Sequence, residues 1–202
     1  MKQIPMEIKQ FGLPIFTERE VLIQIGMCAG EAYNSSKDEE ACIKRALNCI
    51  KRGHHSPWEH VNITLLSTVD RGTSHALVRH RHCAVTQSST IYQKLNEVAV
   101  IEDENYSENM LNSFRRSEID YLKELNNGTA PGEARDILPT ALATNVVITT
   151  NIRQWMYMLQ RRNGPGDSRK MHRWNKLLRD WFEKQYPQIT LAFDTWYGKH
   201  PL

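Results

Sequence analysis

Apolar residues recur with two different periods along this chain. Ile43, Leu47 and Ile50 fall three to four positions apart in a polar stretch, whereas Val61, Ile63 and Leu65 alternate. The first spacing predicts a helix with one apolar face, and the second a strand with one buried face. Capping and breaking residues place the other elements. Thr17 and Glu20 have the spacing of a capping box, so a helix is predicted through "EREVLIQIGMCAGEAY", residues 18–33. A second helix is predicted to begin near Ser36, with Glu39 three positions on, and to stop at Gly53. "HHSPWEH", residues 54–60, is a turn broken by Pro57 and followed by the strand 61–69. "GTSHALVRHRH", residues 72–82, reads as a short helix, on which Arg79 and His82 would share a face and His80 would point elsewhere.

Further on, Met110, Leu111, Phe114, Leu122 and Leu125 predict a helix around 107–126, ended by Gly128. A short helix lies between Pro131 and Pro139, and the β-branched run 143–151 predicts a strand. Helices over 152–162 and 168–186 are separated by the Gly-Pro-Gly of 164–166. Met171, Trp174, Leu178 and Trp181 recur at helical spacing and read as core or subunit interface. Few strands against many helices make an α+β fold with a small antiparallel-type sheet and a dominant helical layer.

Composition narrows the class. The chain has 202 residues, which predicts one domain over 1–202 with a sizeable core. Its 40% apolar and 24% charged residues are ordinary for a globular protein and argue against disorder. No apolar run is long enough to span a bilayer, and "MKQIPMEIKQ" lacks the apolar centre of a secretion signal, so a cytoplasmic location is expected. The four cysteines, Cys28, Cys42, Cys49 and Cys83, form no C-x-x-C pair. Neither a zinc ribbon nor a redox motif is present, and reduced, mostly buried thiols are expected. A net charge of +3 is too small to announce nucleic-acid binding by itself, yet cations cluster at 71–82 and 153–184.

Three stretches carry candidate chemistry. In "GHHSPWEH", residues 53–60, Pro57 prevents the continuous helix that would bring two histidines onto one metal, so no metal site is expected. The plain alternative is a turn in which Ser56 and Glu59 cap nearby backbone. In "RHRH", residues 79–82, arginine forks suit phosphate and histidine can donate to phosphate or to a ring nitrogen. A turn after it would offer free N–H groups through Ala84 to Ser89. The third stretch is "EARDILP" together with "NIRQWMYMLQRR". Here Asn151 and Arg153 stand at a helix start, with Arg135, Arg161 and Arg162 as further cations. Taken singly, the second stretch is more simply explained by a solvated basic face, and each cation of the third by a surface salt bridge.

Together, in order, they resemble the flavin-dependent thymidylate synthase family. Its H-x-[ST]-x-x-E-H turn corresponds to His54, Ser56, Glu59 and His60. Its R-H-R signature corresponds to Arg79, His80 and Arg81, its A-R-x-x-L-P segment to Ala134, Arg135, Leu138 and Pro139, and its N-x-R with a later arginine to Asn151, Arg153 and Arg162. The resemblance spans residues 50–165. It implies a homotetramer whose active sites lie where subunits meet, FAD as cofactor, and NADPH and methylenetetrahydrofolate as co-substrates. The reaction implied is methylation of deoxyuridylate at C5 to give thymidylate. By match, His54, Ser56, Glu59, Arg79, His80, Arg81, Asn151 and Arg153 would serve the flavin, with His82 beside them. Tyr157 stands where relatives carry His or Asn and would either edge the flavin or be a core tyrosine. Gln87, Ser89, Arg135 and Arg162 would serve the nucleotide, with Arg162 and Ser89 nearest the chemistry.

The departures gather on the nucleotide side. Ala84 replaces the first signature serine, Thr86-Gln87 replace Asn-Glu, Ile91 replaces an arginine, Ala76 replaces a glutamine, and "DSRKMH" stands where an A-Q-x-E-I-R segment belongs. Another pyrimidine nucleotide, or hydroxymethylation at C5, is therefore an open alternative to plain thymidylate synthesis. Cys83 lies inside the signature. A thiolate activated by His82 or Arg81 is one reading, and a packed small side chain is the other. Two rival classes stay open. One is single-strand binding through Trp155, Tyr157, Trp174 and Trp181 among the C-terminal cations. The other is a relative that binds nucleotide without turnover.

Overall fold

A computed structural model describes residues 1–201. The elements are β1 (Lys2–Ile4), β2 (Glu7–Gln10), α1 (Glu18–Glu31), α2 (Glu39–Lys51), β3 (Asn62–Asp70), α3 (Arg71–Leu77), β4 (Ala84–Gln87) and β5 (Ala99–Ile101). They continue with α4 (Glu108–Asn126), α5 (Pro131–Ala134), β6 (Ala143–Asn151), α6 (Ile152–Arg161), α7 (Arg169–Gln185) and α8 (Pro187–Lys199). The chain is α+β, as its pattern predicts. None of the helices among the described residues is long and apolar enough to cross a membrane.

Local signals set most boundaries. Thr17 caps α1 through Glu20 N–H, and the Glu20 carboxylate returns to Thr17 N, completing the capping box. The cap of α2 is Asp38, not Ser36: the Asp38 carboxylate takes Ala41 N–H, while the Ser36 hydroxyl takes Asp38 N–H one turn earlier. Gly128 ends α4 with φ +92°, a conformation that costs a side-chain-bearing residue strain. Three differences from the predicted elements matter later. α3 stops at Leu77, so Arg79 and His82 lie on turns and share no helical face. Ala84–Gln87 is a strand, not a turn offering free N–H groups, and the next N–H, that of Ser88, goes to Asn145 O. Finally, α8 follows α7 after Tyr186 and has no counterpart in the sequence pattern.

One sheet orders its strands β2-β3-β6-β4, and a two-stranded parallel sheet pairs β1 with β5, Lys2 opposite Ala99. Alternation buries Ile63, Leu65, Ser67 and Val69 on β3, and Thr144, Val146, Ile148 and Thr150 on β6.

The chain forms two compact units. The first comprises Met1–Glu7, Leu66–Arg79 and Val85–Val147, and the second Ile8–Leu65, His80–Ala84 and the chain from Ile148 onward. Val98, Val100, Tyr121, Ala134, Ala141 and Leu142 make the core of the first, flanked by Phe114, Leu122 and Leu125. Large rings dominate the second: Trp58, Trp155, Trp174, Phe182 and Phe193 are fully buried. A tryptophan removing about 150–250 Å² from water contributes about 4–6 kcal/mol of transfer free energy before conformational entropy is subtracted. Met171, Trp174 and Leu178 face this core, and half-buried Trp181 meets Phe182 edge-on at 4.9 Å. The Trp155 indole N–H satisfies itself on Ile63 O at 3.2 Å. Trp155 and Trp174, being interior, are removed from any surface on which a nucleic-acid strand would stack.

Candidate active site

The candidate flavin residues, Arg79 apart, belong to the second unit. A one-turn 3-10 segment, Ser56–Glu59, holds the turn that Pro57 imposes, with His54 and Ser56 exposed. Glu59 forms an ion pair with Arg153, closing a separation of 94 residues. Asn151 caps α6, its Oδ1 accepting Gln154 N–H at 2.8 Å, and this places Arg153 in the first turn of that helix. Beside them opens a cavity of about 950 Å³ whose wall includes Arg45, Arg52, His54, His55, Ser56 and Arg153. Among the described residues, no carboxylate lines this cavity. His55 Nε2 is buried without a hydrogen-bond partner among the described residues, and burial pushes its pKa below the usual imidazole value. A cation-rich wall with an unsatisfied ring nitrogen fits a ligand bearing phosphates and a polar ring.

A second cluster in the same unit gathers His80, Arg162, Tyr157 and Asp167. His80 is only 8% exposed. Its Nε2 accepts the Nε–H of Arg162 at 2.9 Å, while Arg162 Nη1 lies 3.4 Å from the Asp167 carboxylate. Burial, then the charges of Arg162 and Arg161, push the His80 pKa down to about 4, against a smaller opposing effect of Asp167. The imidazole is therefore neutral near pH 7, and it fixes one edge of the guanidinium. The Tyr157 ring stands edge-on to His80 with centroids 6.2 Å apart. Arg81 and His82 are exposed, and His82 O receives the Thr150 hydroxyl at 2.6 Å. Cys83 is half-buried, with Sγ 3.9 Å from the Met158 sulfur, and burial raises its pKa. That environment suits a packed thiol and disfavours a thiolate nucleophile.

The remaining candidates, Arg79, Gln87, Ser89 and Arg135, belong to the first unit. The Gln87 amide donates to the hydroxyls of Ser74 (3.0 Å) and Thr144 (3.2 Å), bracing β4. The Ser89 hydroxyl accepts Ile91 N–H at 3.1 Å. Arg135 opens a 3-10 turn, Arg135–Ile137, and its closest carboxylate is that of Asp136 at 4.0 Å. It lines a pocket of about 250 Å³ with Arg71, His75, Thr90 and Thr140.

Several residues of these sites escape a motif search. Arg45 and Arg52 sit on and just after α2, in a segment whose periodicity speaks only of packing. Asp167 follows the Gly-Pro-Gly break, where the sequence shows a loop and no pairing. The His54-His55 doublet is visible in the sequence, but the burial of its second member is not. All four cysteines are unbridged; Cys42 is buried, and the other three are partly exposed.

Comparison with known proteins addresses the same residues. The sequence profile described as thymidylate synthase complementing protein matches residues 16–188. A flavin-dependent thymidylate synthase of Thermococcus kodakarensis is 34% identical over 136 residues, which is 62% of this chain and 54% of that protein. One from Pyrococcus furiosus is 31% identical over 131 residues, 59% of this chain and 52% of that protein. A probable flavin-dependent thymidylate synthase of Paramecium bursaria Chlorella virus 1 is 26% identical over 167 residues, 72% of this chain and 77% of that protein. The chain thus spans about half the length of the Thermococcus and Pyrococcus relatives. With the profile covering most of its length, the chain belongs to the thymidylate synthase complementing protein family.

Proposed function

We propose that this protein is a flavin-dependent thymidylate synthase, methylating deoxyuridylate at C5 with methylenetetrahydrofolate as carbon donor and NADPH as reductant. The observation that carries this reading is the cation-rich cavity beside the Glu59–Arg153 pair, in a chain of this family. The donor set fits FAD: Arg45, Arg52 and Arg153 offer forks for its two phosphates, and His54, His55 and Ser56 offer polar contacts to its ring or ribityl chain. When bound, the flavin supplies the hydride that the chemistry needs.

The chain's own residues then bind, orient and polarise. Arg162, held by neutral His80 and by Asp167, presents a fixed positive charge able to stabilise negative charge on a uracil carbonyl as C5 is activated. Arg135 and Ser89 serve the nucleotide. Cys83, half-buried with a raised pKa, supplies no thiolate, which accords with a reaction that needs no enzyme nucleophile. The assembly is a homotetramer sharing its active sites between subunits, and four unbridged thiols suit the reducing cytoplasm. A second reading, a different pyrimidine nucleotide or a hydroxymethyl product, draws on Ala76, Ile91 and the engagement of Gln87 with Ser74 and Thr144.

The visible absorption spectrum before and after anaerobic NADPH tests the proposal. A flavin spectrum that bleaches supports it, and a colourless protein that takes up no added FAD overturns it. Product analysis with deoxyuridylate, uridylate and deoxycytidylate separates the two readings.

A further inference from the structure

The first residue of α3 is an arginine with one unsatisfied guanidinium nitrogen. Arg71 follows the helix cap Asp70, whose carboxylate oxygens take the Thr73 N–H and hydroxyl at 3.0 and 2.7 Å. Arg71 Nη1 is buried and makes no hydrogen bond among the described residues. A buried guanidinium nitrogen left unsatisfied is destabilising, and a second guanidinium nearby makes it more so. That second group is Arg135, lining the same pocket of about 250 Å³ with His75 and Thr90. Burial first, and then the charge of Arg135, push the Arg71 pKa down. Asp136, the one carboxylate among the described residues of its wall, is highly exposed and stands 4.0 Å from Arg135, so it neutralises this pair weakly.

Two arginines lining one small pocket, one with a buried unsatisfied donor, are the arrangement that a dianion resolves. Each fork can donate two N–H groups to phosphate oxygens, and the Thr90 hydroxyl is an added donor on the wall. The adjacent position explains why Arg71 is needed. Ile91, which stands where the family signature has arginine, lays its side chain against the start of α5: its Cγ2 lies 3.4 Å from the Cβ position of Gly132. We propose that Arg71 and Arg135 form a phosphate-monoester seat in the first unit, with Arg71 replacing the cation missing at position 91. This rests on the proposed function in one respect: it takes the monoester to be that of the pyrimidine nucleotide.

Calorimetric titration of the full-length protein with deoxyuridylate, deoxyuridine and inorganic phosphate, for the wild type, Arg71→Gln and Arg71→Lys, tests the seat. In Arg71→Gln the Kd for deoxyuridylate is expected to rise about 10- to 100-fold, as for loss of a charge-assisted hydrogen-bonded pair, with the Kd for deoxyuridine almost unchanged. Arg71→Lys, which keeps the charge and loses the fork, falls between and serves as the test if Arg71→Gln does not fold. The unliganded Tm of Arg71→Gln should stay or rise, since a buried unsatisfied guanidinium nitrogen has been removed; a merely structural arginine would lower it. Equal weakening of deoxyuridylate and deoxyuridine, or undiminished deoxyuridylate binding, overturns the seat and leaves the proposed function standing. Wild-type protein that binds neither pyrimidine, yet binds inorganic phosphate in a manner lost in Arg71→Gln, upholds the seat and overturns the proposed substrate.

Discussion

Acidification should destabilise this protein through one imidazole. His80 is buried, and its Nε2 accepts the Nε–H of Arg162, so the neutral ring carries its proton on Nδ1 and cannot charge without losing that acceptor. Arg162 and Arg161 oppose the charged form and Asp167 favours it, with a net pKa of about 4 against 6.5 for a free histidine. The sign follows from proton uptake. As pH falls through 6.5 the unfolded chain takes a proton that the folded chain refuses until about pH 4, so stability is complete above 6.5 and lost between those values. A gap of about 2.5 pKa units corresponds to about 3 kcal/mol, a sizeable part of an ordinary folding free energy of about 5–15 kcal/mol. Urea unfolding of the wild type and His80→Gln between about pH 7.5 and pH 4 measures it, because other titrating groups cancel in the difference. The wild type should lose about 3 kcal/mol relative to the variant across that window. A difference that stays constant with pH would refute the burial argument, and so would an NMR titration giving His80 an ordinary pKa.

Two further outcomes follow from single contacts. Cys83→Ser should retain turnover, since burial and the Met158 contact leave no thiolate to lose; inactivity with flavin still bound would reinstate a nucleophile. Asn151→Ala should cost about 1 kcal/mol by removing the α6 cap, whereas Asn151→Asp keeps a capping oxygen and the stability. If the Asn151 amide also holds the flavin, Asn151→Asp will purify with less flavin at unchanged Tm, and full flavin content in that variant removes Asn151 from the cofactor site.

The sequence was most legible where the physics is local. The Thr17–Glu20 box was readable because a hydroxyl and a carboxylate three residues apart can satisfy only the N–H groups of one helix start. The alternation from Val61 to Leu65 was readable because strand periodicity follows burial directly. α8 was missed because its buried residues, Ile189, Thr190 and Phe193, stand among exposed Leu191 and half-buried Trp196, and blur any single apolar face. The end of α3 was misjudged for a different reason. "HALVRHRH" contains no breaker, and the turn after Val78 accompanies a side chain, His80, that packs beside Arg162 rather than in solvent.

Chemistry divides along the same line. Order and spacing of the histidine, arginine and asparagine motifs sufficed to mark the family, since a motif is a property of neighbours in the chain. Pairing across 94 residues, Glu59 to Arg153, required the fold, and so did the lowered pKa of His80, which depends on burial and on charges 81 and 82 positions away. Nothing in "VDRGTS" distinguishes Arg71 from a surface cation. Only the tertiary structure leaves its Nη1 buried and without a hydrogen bond among the described residues, in a residue that lines a pocket with Arg135, because desolvation and partner distance are set by three-dimensional packing and not by sequence order.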